Sequence, residues 1–282
     1  LTIAGEAIDG NWRLARVEAD GSAARVVMTH AKYPVEVAVS SVADGTGWIT
    51  RTLTITNIGD AALPLDEVAP FGGVAFRHVF DNGILSYSPS ECGADEDSIY
   101  EIGYSAHRAW GQEGDFVMHP LRGEGVAYDS GFHGRSGWSR PAYVLGDRLN
   151  GHLLAVEFAY SGNWRMRVRP EKTPNGVRVR HAVSLCAPQG EAARVLAPSE
   201  RVTTPPVHFT YTALGMERLI QSRHAFVRGS VMPSDDPIGA ALIEANHRGY
   251  LCDRESEEGI KRDMDIAARE GAELYVIDAG WF

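Results

Sequence analysis

The stretch that decides the fold runs from Ala241 to Phe282, and its last twelve residues, 271–282, read GAELYVIDAGWF. A short apolar run at 241–243 opens it. An amphipathic segment follows from Ser256, and a continuous apolar run occupies 273–277. This order of patterns predicts a strand, a helix and a second strand.

The middle segment has the signals of an amphipathic α-helix. Ser256 can cap its N-terminus, and Glu257 and Glu258 then lie in the first turn, near the positive end of the helix dipole. One face of this helix would carry Ile260, Met264, Ala267, Ala268 and Gly271. Such spacing is typical of a helix that packs one side against a sheet.

The final apolar run is typical of a strand covered on both faces, and such strands joined through a helix form parallel sheets. In a (β/α)8 barrel the functional groups lie at the carboxyl ends of the strands. Asn246 and Asp278 follow the two predicted strands. A complete barrel needs about 250 residues, many more than Pro237–Phe282 supplies. We therefore expect the first βαβ unit of an incomplete barrel.

Residues 11–212 alternate between apolar and polar with a period of two. Val35, Val37 and Val39 show it, and Trp164, Met166 and Val168 alternate with arginines. Short alternating runs separated by turn residues predict an all-β sandwich, and the Asn-Gly pair at 175–176 predicts a hairpin. The Gly-, Ser- and His-rich stretch at 87–143 favours long loops, which either carry function or cover a sheet edge.

Helical spacing returns at 214–227, and two prolines with turn formers mark a boundary at 232–237. The sequence thus predicts a mostly β chain in three parts. These are a β-sandwich at 1–212, a linker helix and loop at 213–236, and the first βαβ unit of a barrel at 237–282.

The composition limits the classes of partner. Lys+Arg number 27 against 37 Asp+Glu, which gives a net charge of −10 and disfavours nucleic acid or an anionic membrane as partner. No apolar run is long enough for a membrane span. The three cysteines are far apart and the ten histidines lack metal-ligand spacing, so we predict no metal and no cofactor. A cytoplasmic location is the default, with a secreted or periplasmic one left open.

Several motifs, taken in order, resemble glycoside hydrolase family 36, the family of α-galactosidases. The stretch 271–282 is similar to that family's second barrel strand, Gly-x-Glu-Leu-Phe-Val-Leu-Asp-Asp-Gly-Trp-Phe. Upstream, the sequences YSGNW at 160–164, LAPSE at 196–200 and HAFVR at 224–228 are similar to family segments. The resemblance implies a β-supersandwich before a (β/α)8 barrel, a carbohydrate substrate, and a homo-oligomer for the full-length protein.

The resemblance also implies substrate-binding residues. Asp278 matches a family aspartate that binds sugar hydroxyls, and Trp281 follows it in the same motif. Tyr87 matches a sandwich aromatic that packs on the sugar. Asn246 ends the first predicted barrel strand. Ala279 replaces a second family aspartate, which leaves the identity of the sugar open.

Family members are retaining hydrolases that use a carboxylate nucleophile and a carboxylic acid about 5–5.5 Å apart. Both match family positions beyond Phe282, so no catalytic residue is predicted here and we expect the 282 residues alone to be inactive. Three alternatives remain: a non-catalytic carbohydrate-binding or scaffold module, a transglycosylase of the raffinose-synthase kind, and a hydrolase for another α-sugar, which Ala279 suggests. Simpler structural roles also remain open, with Asp278 capping a turn, Tyr87 covering a sheet edge and Trp281 packing in a core.

Overall fold

The computed structural model describes residues 1–79, 99–105, 115–131, 134, 139–174, 176–188, 191–232, 242–247 and 256–278. The chain divides into two compact units, Leu1–Phe226 and Val227–Phe282. No helix within the described ranges has the length and apolar character needed to cross a membrane.

The first unit is built from strands. They are β1 (Thr2–Ile3), β2 (Glu6–Ala7), β3 (Trp12–Asp20), β4 (Ala23–His30), β5 (Val35–Ala43), β6 (Ile49–Asn57), β7 (Leu63–Val79), β8 (Tyr100–Tyr104), β9 (Val117–Pro120), β10 (Val126–Asp129), β11 (Ala142–Asp147), β12 (His152–Phe158), β13 (Trp164–Thr173), β14 (Gly176–Cys186), β15 (Arg194–Leu196), β16 (Arg201–Thr203) and β17 (Val207–Thr212). Helix α1 (Gly215–Phe226) closes the unit.

Among the described residues these strands form two antiparallel sheets. A seven-stranded sheet has the order β10-β13-β14-β7-β1-β2, with β15 paired to β7. A ten-stranded sheet has the order β3-β4-β5-β6-β17-β12-β11-β8-β9, with β16 paired to β6. The predicted hairpin at 175–176 joins β13 to β14, with Thr173 opposite Gly176. The mostly β fold and the sandwich are therefore confirmed.

The core lies between the two sheets because the inward residues of both are apolar. Trp164 and Met166 of the smaller sheet and Val156 of the larger one are fully buried in the same cluster. Trp164 meets Tyr128 edge to face with ring centroids 5.6 Å apart. Large aromatic side chains dominate such cores because each buries 150–250 Å².

Helix α1 covers part of the larger sheet. Phe226 is buried and stacks on Trp48, with ring centroids 5.3 Å apart. The Trp48 indole N–H donates to the Ser222 hydroxyl at 3.2 Å. The predicted helix is thus present, and it packs within the first unit.

The second unit contains a turn of π-helix (Val227–Val231), strand β18 (Glu244–Asn246), helix α2 (Glu257–Arg269) and strand β19 (Leu274–Val276). Strands β18 and β19 pair in parallel, with Asn246 opposite Val276. The predicted strand, helix and strand therefore occur in this order. The proposed three-part boundaries and the barrel itself remain predictions.

Three expectations need correction. The apolar run at 241–243 precedes β18 rather than forming it, although the Ile243 carbonyl accepts from the Glu273 amide at 2.8 Å. Strand β19 is not buried on both faces, since Leu274 is 44% exposed and only two strands of its sheet lie within the described residues. The stretch 87–143 contains β8, β9 and β10, which are too short to show a clear period.

Candidate functional site

The carboxyl ends of β18 and β19 bring two predicted site residues together. Asn246 is the last residue of β18, and Asp278 lies two residues after β19. The Asn246 side-chain amide donates from Nδ2 to Oδ2 of Asp278 at 3.1 Å. Because parallel strands end at the same edge, residues 32 positions apart in sequence become direct neighbours.

His247 stabilises this pair through the backbone of Asp278. It is fully buried, and its Nδ1 accepts from the backbone N–H of Asp278 at 3.1 Å. An amide nitrogen can only donate, so Nδ1 is the acceptor and the ring proton belongs on Nε2. The Val276 carbonyl oxygen lies 3.4 Å from the same Nδ1 and, with the ring proton on Nε2, receives no hydrogen bond from it. The imidazole thus fixes the backbone at the residue that carries the carboxylate.

The helix that connects the two strands has well-defined ends. Ser256 has extended backbone angles (φ −121°, ψ 154°) and its hydroxyl accepts from the Gly259 amide at 3.0 Å, which confirms the predicted N-cap. At the other end Gly271 has φ +95°, and the amides of Gly271 and Ala272 donate to the Ala268 and Ala267 carbonyls. This is the Schellman arrangement, which turns the chain directly into β19.

A side-chain contact ties the helix to the second strand. The Tyr275 hydroxyl donates to Oδ2 of Asp263. The Ile243 amide also donates to Oε2 of Glu273 at 3.1 Å, just before the paired strands begin. Together with the capped helix, these bonds hold the strand ends in register beneath Asn246 and Asp278.

The arrangement suits recognition of hydroxyl groups. A carboxylate is an acceptor, an amide side chain is both donor and acceptor, and both residues are half-buried. Charge-assisted hydrogen bonds to a carboxylate are stronger than neutral ones. Within the described residues, no group of three or more His, Cys, Asp or Glu could hold a metal ion.

The other two predicted residues are not placed. Tyr87, Trp281 and the substituted position Ala279 lie outside the described residues. Sequence reasoning gave His247 no specific role, although its place directly after Asn246 was a signal. A histidine beside a strand-end polar residue can turn inward and bond the neighbouring strand.

The structure does define where the segment that contains Tyr87 is attached to the sandwich. Strand β7 ends at Val79 in the smaller sheet, and β8 begins at Tyr100 in the larger one. There His78 Nε2 lies 2.7 Å from Oδ2 of Asp147, a residue that is 3% exposed. The contact links the two sheets where the chain passes from one to the other.

Known proteins are similar to this chain in both sequence and fold. α-Galactosidase AgaA of Geobacillus stearothermophilus is 28% identical over 207 residues, which are 70% of this chain and 26% of that protein. An α-galactosidase of Escherichia coli is 29% identical over 146 residues, 50% of this chain and 20% of that protein. The chain thus spans about a quarter of the length of these curated relatives. No family model matches it.

Solved structures extend the similarity over the whole chain. The structure of AgaA matches all of it with a TM-score of 0.73 at 19% identity, covering 39% of that protein. The galactosidase domain of the α-galactosidase–sucrose kinase AgaSK matches 97% with a TM-score of 0.71 at 20% identity, covering 37% of that domain's chain. At these identities the structures show a shared fold.

The sequence relatives are glycoside hydrolases. More particularly, they are α-galactosidases, and AgaA is described as a member of glycoside hydrolase family 36. The predicted resemblance to this family is therefore confirmed, and the matches are consistent with its N-terminal region.

Proposed function

We propose that this chain is the N-terminal part of a retaining α-galactosidase-like hydrolase, in which Asp278 and Asn246 bind hydroxyl groups of an α-galactoside. The observation that carries the proposal is the 3.1 Å bond between these two side chains at the paired strand ends. It joins the carboxylate that matches the family's sugar-binding aspartate to an amide in an orientation suited to hydroxyl recognition.

The relatives support the substrate class. Variants of AgaA have been solved in complex with raffinose and with stachyose. For the present chain we infer the same class, an α-galactoside, with Ala279 as the position that distinguishes its pocket. Tyr87, which matches a family aromatic that packs on the sugar, is a further proposed contact of the substrate.

In this proposal, residues other than Asp278 and Asn246 cleave the glycosidic bond. Asp278 and Asn246 orient the sugar, while His247 keeps the Asp278 backbone in place. The nucleophile and the acid/base would come from later strands of a barrel that begins with β18, α2 and β19. Residues 1–212 would form the supersandwich, 213–236 the linker and 237–282 the first βαβ unit.

Replacing Asp278 tests the proposal directly. In the full-length protein, Asp278→Asn removes the charge but keeps the size, and it should lower kcat/KM on an aryl α-galactoside by about ten- to a hundredfold, because hydrogen bonds to charged groups contribute about 1.5–3 kcal/mol. Asp265→Asn, on the exposed side of α2, is the matched control and should leave activity unchanged.

A second assay tests the placement of the catalytic pair. The purified 282-residue polypeptide should release no aryl alcohol above background. Turnover by that polypeptide would refute the placement of the catalytic carboxylates. Unchanged kcat/KM in the Asp278→Asn enzyme would refute the sugar-binding role.

A further inference from the structure

A group of arginines on the outer face of the smaller sheet is arranged against the usual rules of strand pairing. Arg169 on β13 lies directly opposite Arg180 on β14, and Arg178 on β14 lies opposite Arg77 on β7. Like charges directly opposite each other destabilise a sheet. Two such pairs side by side therefore favour an anion between them.

Glu171 supplies one anionic group. Its carboxylate accepts from Arg178 Nε at 2.7 Å, Arg169 at 3.0 Å and Arg180 Nε at 3.1 Å. The hydrogen bond from Arg169, with those from Arg178 and Arg180, lowers the pKa of Glu171 to about 2, against the opposing effect of burial. The three guanidinium groups thus converge on one carboxylate, which is 14% exposed.

The single carboxylate of Glu171 does not neutralise all the arginines in this group. Arg77 is exposed and has no ion-pair partner in the described part of the chain. We call the following five residues the arginine cluster: Arg77, Arg169, Glu171, Arg178 and Arg180. It holds four positive charges and one negative charge on a chain with a net charge of −10.

We propose that the arginine cluster is a binding site for a small polyvalent oxyanion, inorganic phosphate or a phosphate ester. Guanidinium groups present a planar fork of N–H donors that fits phosphate oxygens in pairs. Phosphate carries about −1.5 to −2 at pH 7, more than the single charge of Glu171, and so neutralises the cluster more fully.

The size of the ligand follows from the charge around the cluster. A long polyanion would extend beyond the four arginines and meet the repulsion of a chain that is negative elsewhere. A small oxyanion meets only the cluster. The site belongs to the first unit and does not depend on the proposed hydrolase function.

Titration with inorganic phosphate tests the site. Isothermal titration of the purified protein, with chloride used to hold ionic strength constant, should show saturable binding of one phosphate per chain. Arg77→Gln and Arg180→Gln should each weaken it by about fivefold or more, the range expected for loss of a charge-assisted hydrogen bond. Arg16→Gln is the matched control, since Arg16 pairs with Glu18 on the other sheet and is 50% exposed, like Arg180.

Glu171→Gln separates a ligand site from a purely structural ion cluster. Because the carboxylate competes with the ligand, its removal should tighten phosphate binding, whereas a structural cluster would only lose stability. Should that variant fail to fold, the phosphate-dependent rise in Tm of the wild type is compared with that of Arg77→Gln, which removes a residue without an ion-pair partner.

A sugar phosphate measured beside inorganic phosphate identifies the source of the anion. Tighter binding of the ester assigns the site to a phosphate ester, and equal or weaker binding assigns it to free phosphate. The proposal is overturned by the absence of saturable binding up to about 10 mM, equal affinities in the arginine variants, or weaker binding in a folded Glu171→Gln protein.

Discussion

The Asn246 side-chain amide donates to the Asp278 carboxylate at 3.1 Å across the ends of two parallel strands. The bond fixes which face of the carboxylate is turned to the neighbouring strand. It also orients the Asn246 amide, because the nitrogen must point toward the acceptor and the oxygen away from it. Two adjacent strand ends thereby present donor and acceptor groups in a fixed relation.

Loss of this bond should weaken sugar recognition. In the full-length protein, Asn246→Ala leaves Asp278 without its amide donor, and we expect kcat/KM for an α-galactoside to fall about tenfold, as for a hydrogen bond to a charged group. Glu244→Ala is the control, since Glu244 is exposed two residues earlier on the same strand. Equal losses in both variants would show that only the strand had been disturbed.

His247 should act through the backbone of Asp278. His247→Leu removes the acceptor of a backbone N–H beside a fully buried ring, which should lower the free energy of unfolding by about 1–3 kcal/mol and raise KM more than it lowers kcat. His247→Asn keeps an acceptor near the position of Nδ1 and should restore part of both. If Leu and Asn behave alike in KM, the hydrogen bond has no positioning role.

His181 should make the sandwich sensitive to acid. Burial lowers its pKa from 6.5 to about 4. Its contribution to stability is therefore complete above pH 6.5 and is lost as the pH falls toward 4, because the unfolded chain takes up a proton that the folded chain does not. The loss approaches about 3 kcal/mol. Urea midpoints measured between pH 7 and 4 check it.

Two variants test whether His181 causes this dependence of stability on pH. His181→Gln should flatten it over the same range. Tyr143→Phe removes the hydroxyl that lies 2.6 Å from His181 Nδ1 but keeps the burial, so most of the slope should remain. An unchanged pH dependence in the Gln variant would assign the acid sensitivity to other groups.

Two neighbouring glycines should differ in tolerance to alanine. Gly125 has φ +86°, and a Cβ there would collide with the Val168 carbonyl, whereas Gly123 has φ +57° and open space around it. Gly123→Ala should cost about 1 kcal/mol for the left-handed backbone alone. Gly125→Ala should cost clearly more, measured as the fall in Tm. Similar values for both would mean that β10 moves away from β13 without penalty.

Much of the sandwich could be predicted because its longer strands each contribute an alternating run that is long enough to recognise. Runs of 9–11 residues form strands β5, β6, β13 and β14, and the Asn-Gly pair identifies the hairpin between β13 and β14. Strands β8 to β10 have four or five residues and depend on neighbours for hydrogen bonds. Their pairing is a tertiary property that no local period reveals.

The candidate site was predictable in part for a similar reason. Asn246 and Asp278 could be brought together because parallel strands place their ends at one edge. The inward turn of His247 was not predicted, since the burial of its ring depends on a hydrogen bond from the Asp278 amide beyond the next strand. The positions of Tyr87 and Trp281 remain predictions, because both lie outside the described residues.

The contact between His78 and Asp147 has a consequence for how such chains can diverge. It links β7 to the larger sheet close to the point where β7 ends at Val79. The chain joins the larger sheet again at β8, which begins at Tyr100. The free energy of closing a loop grows only slowly with its length. With both attachment points fixed in this way, we expect homologues to accept insertions, deletions and new aromatic residues between those points while the two-sheet core stays intact.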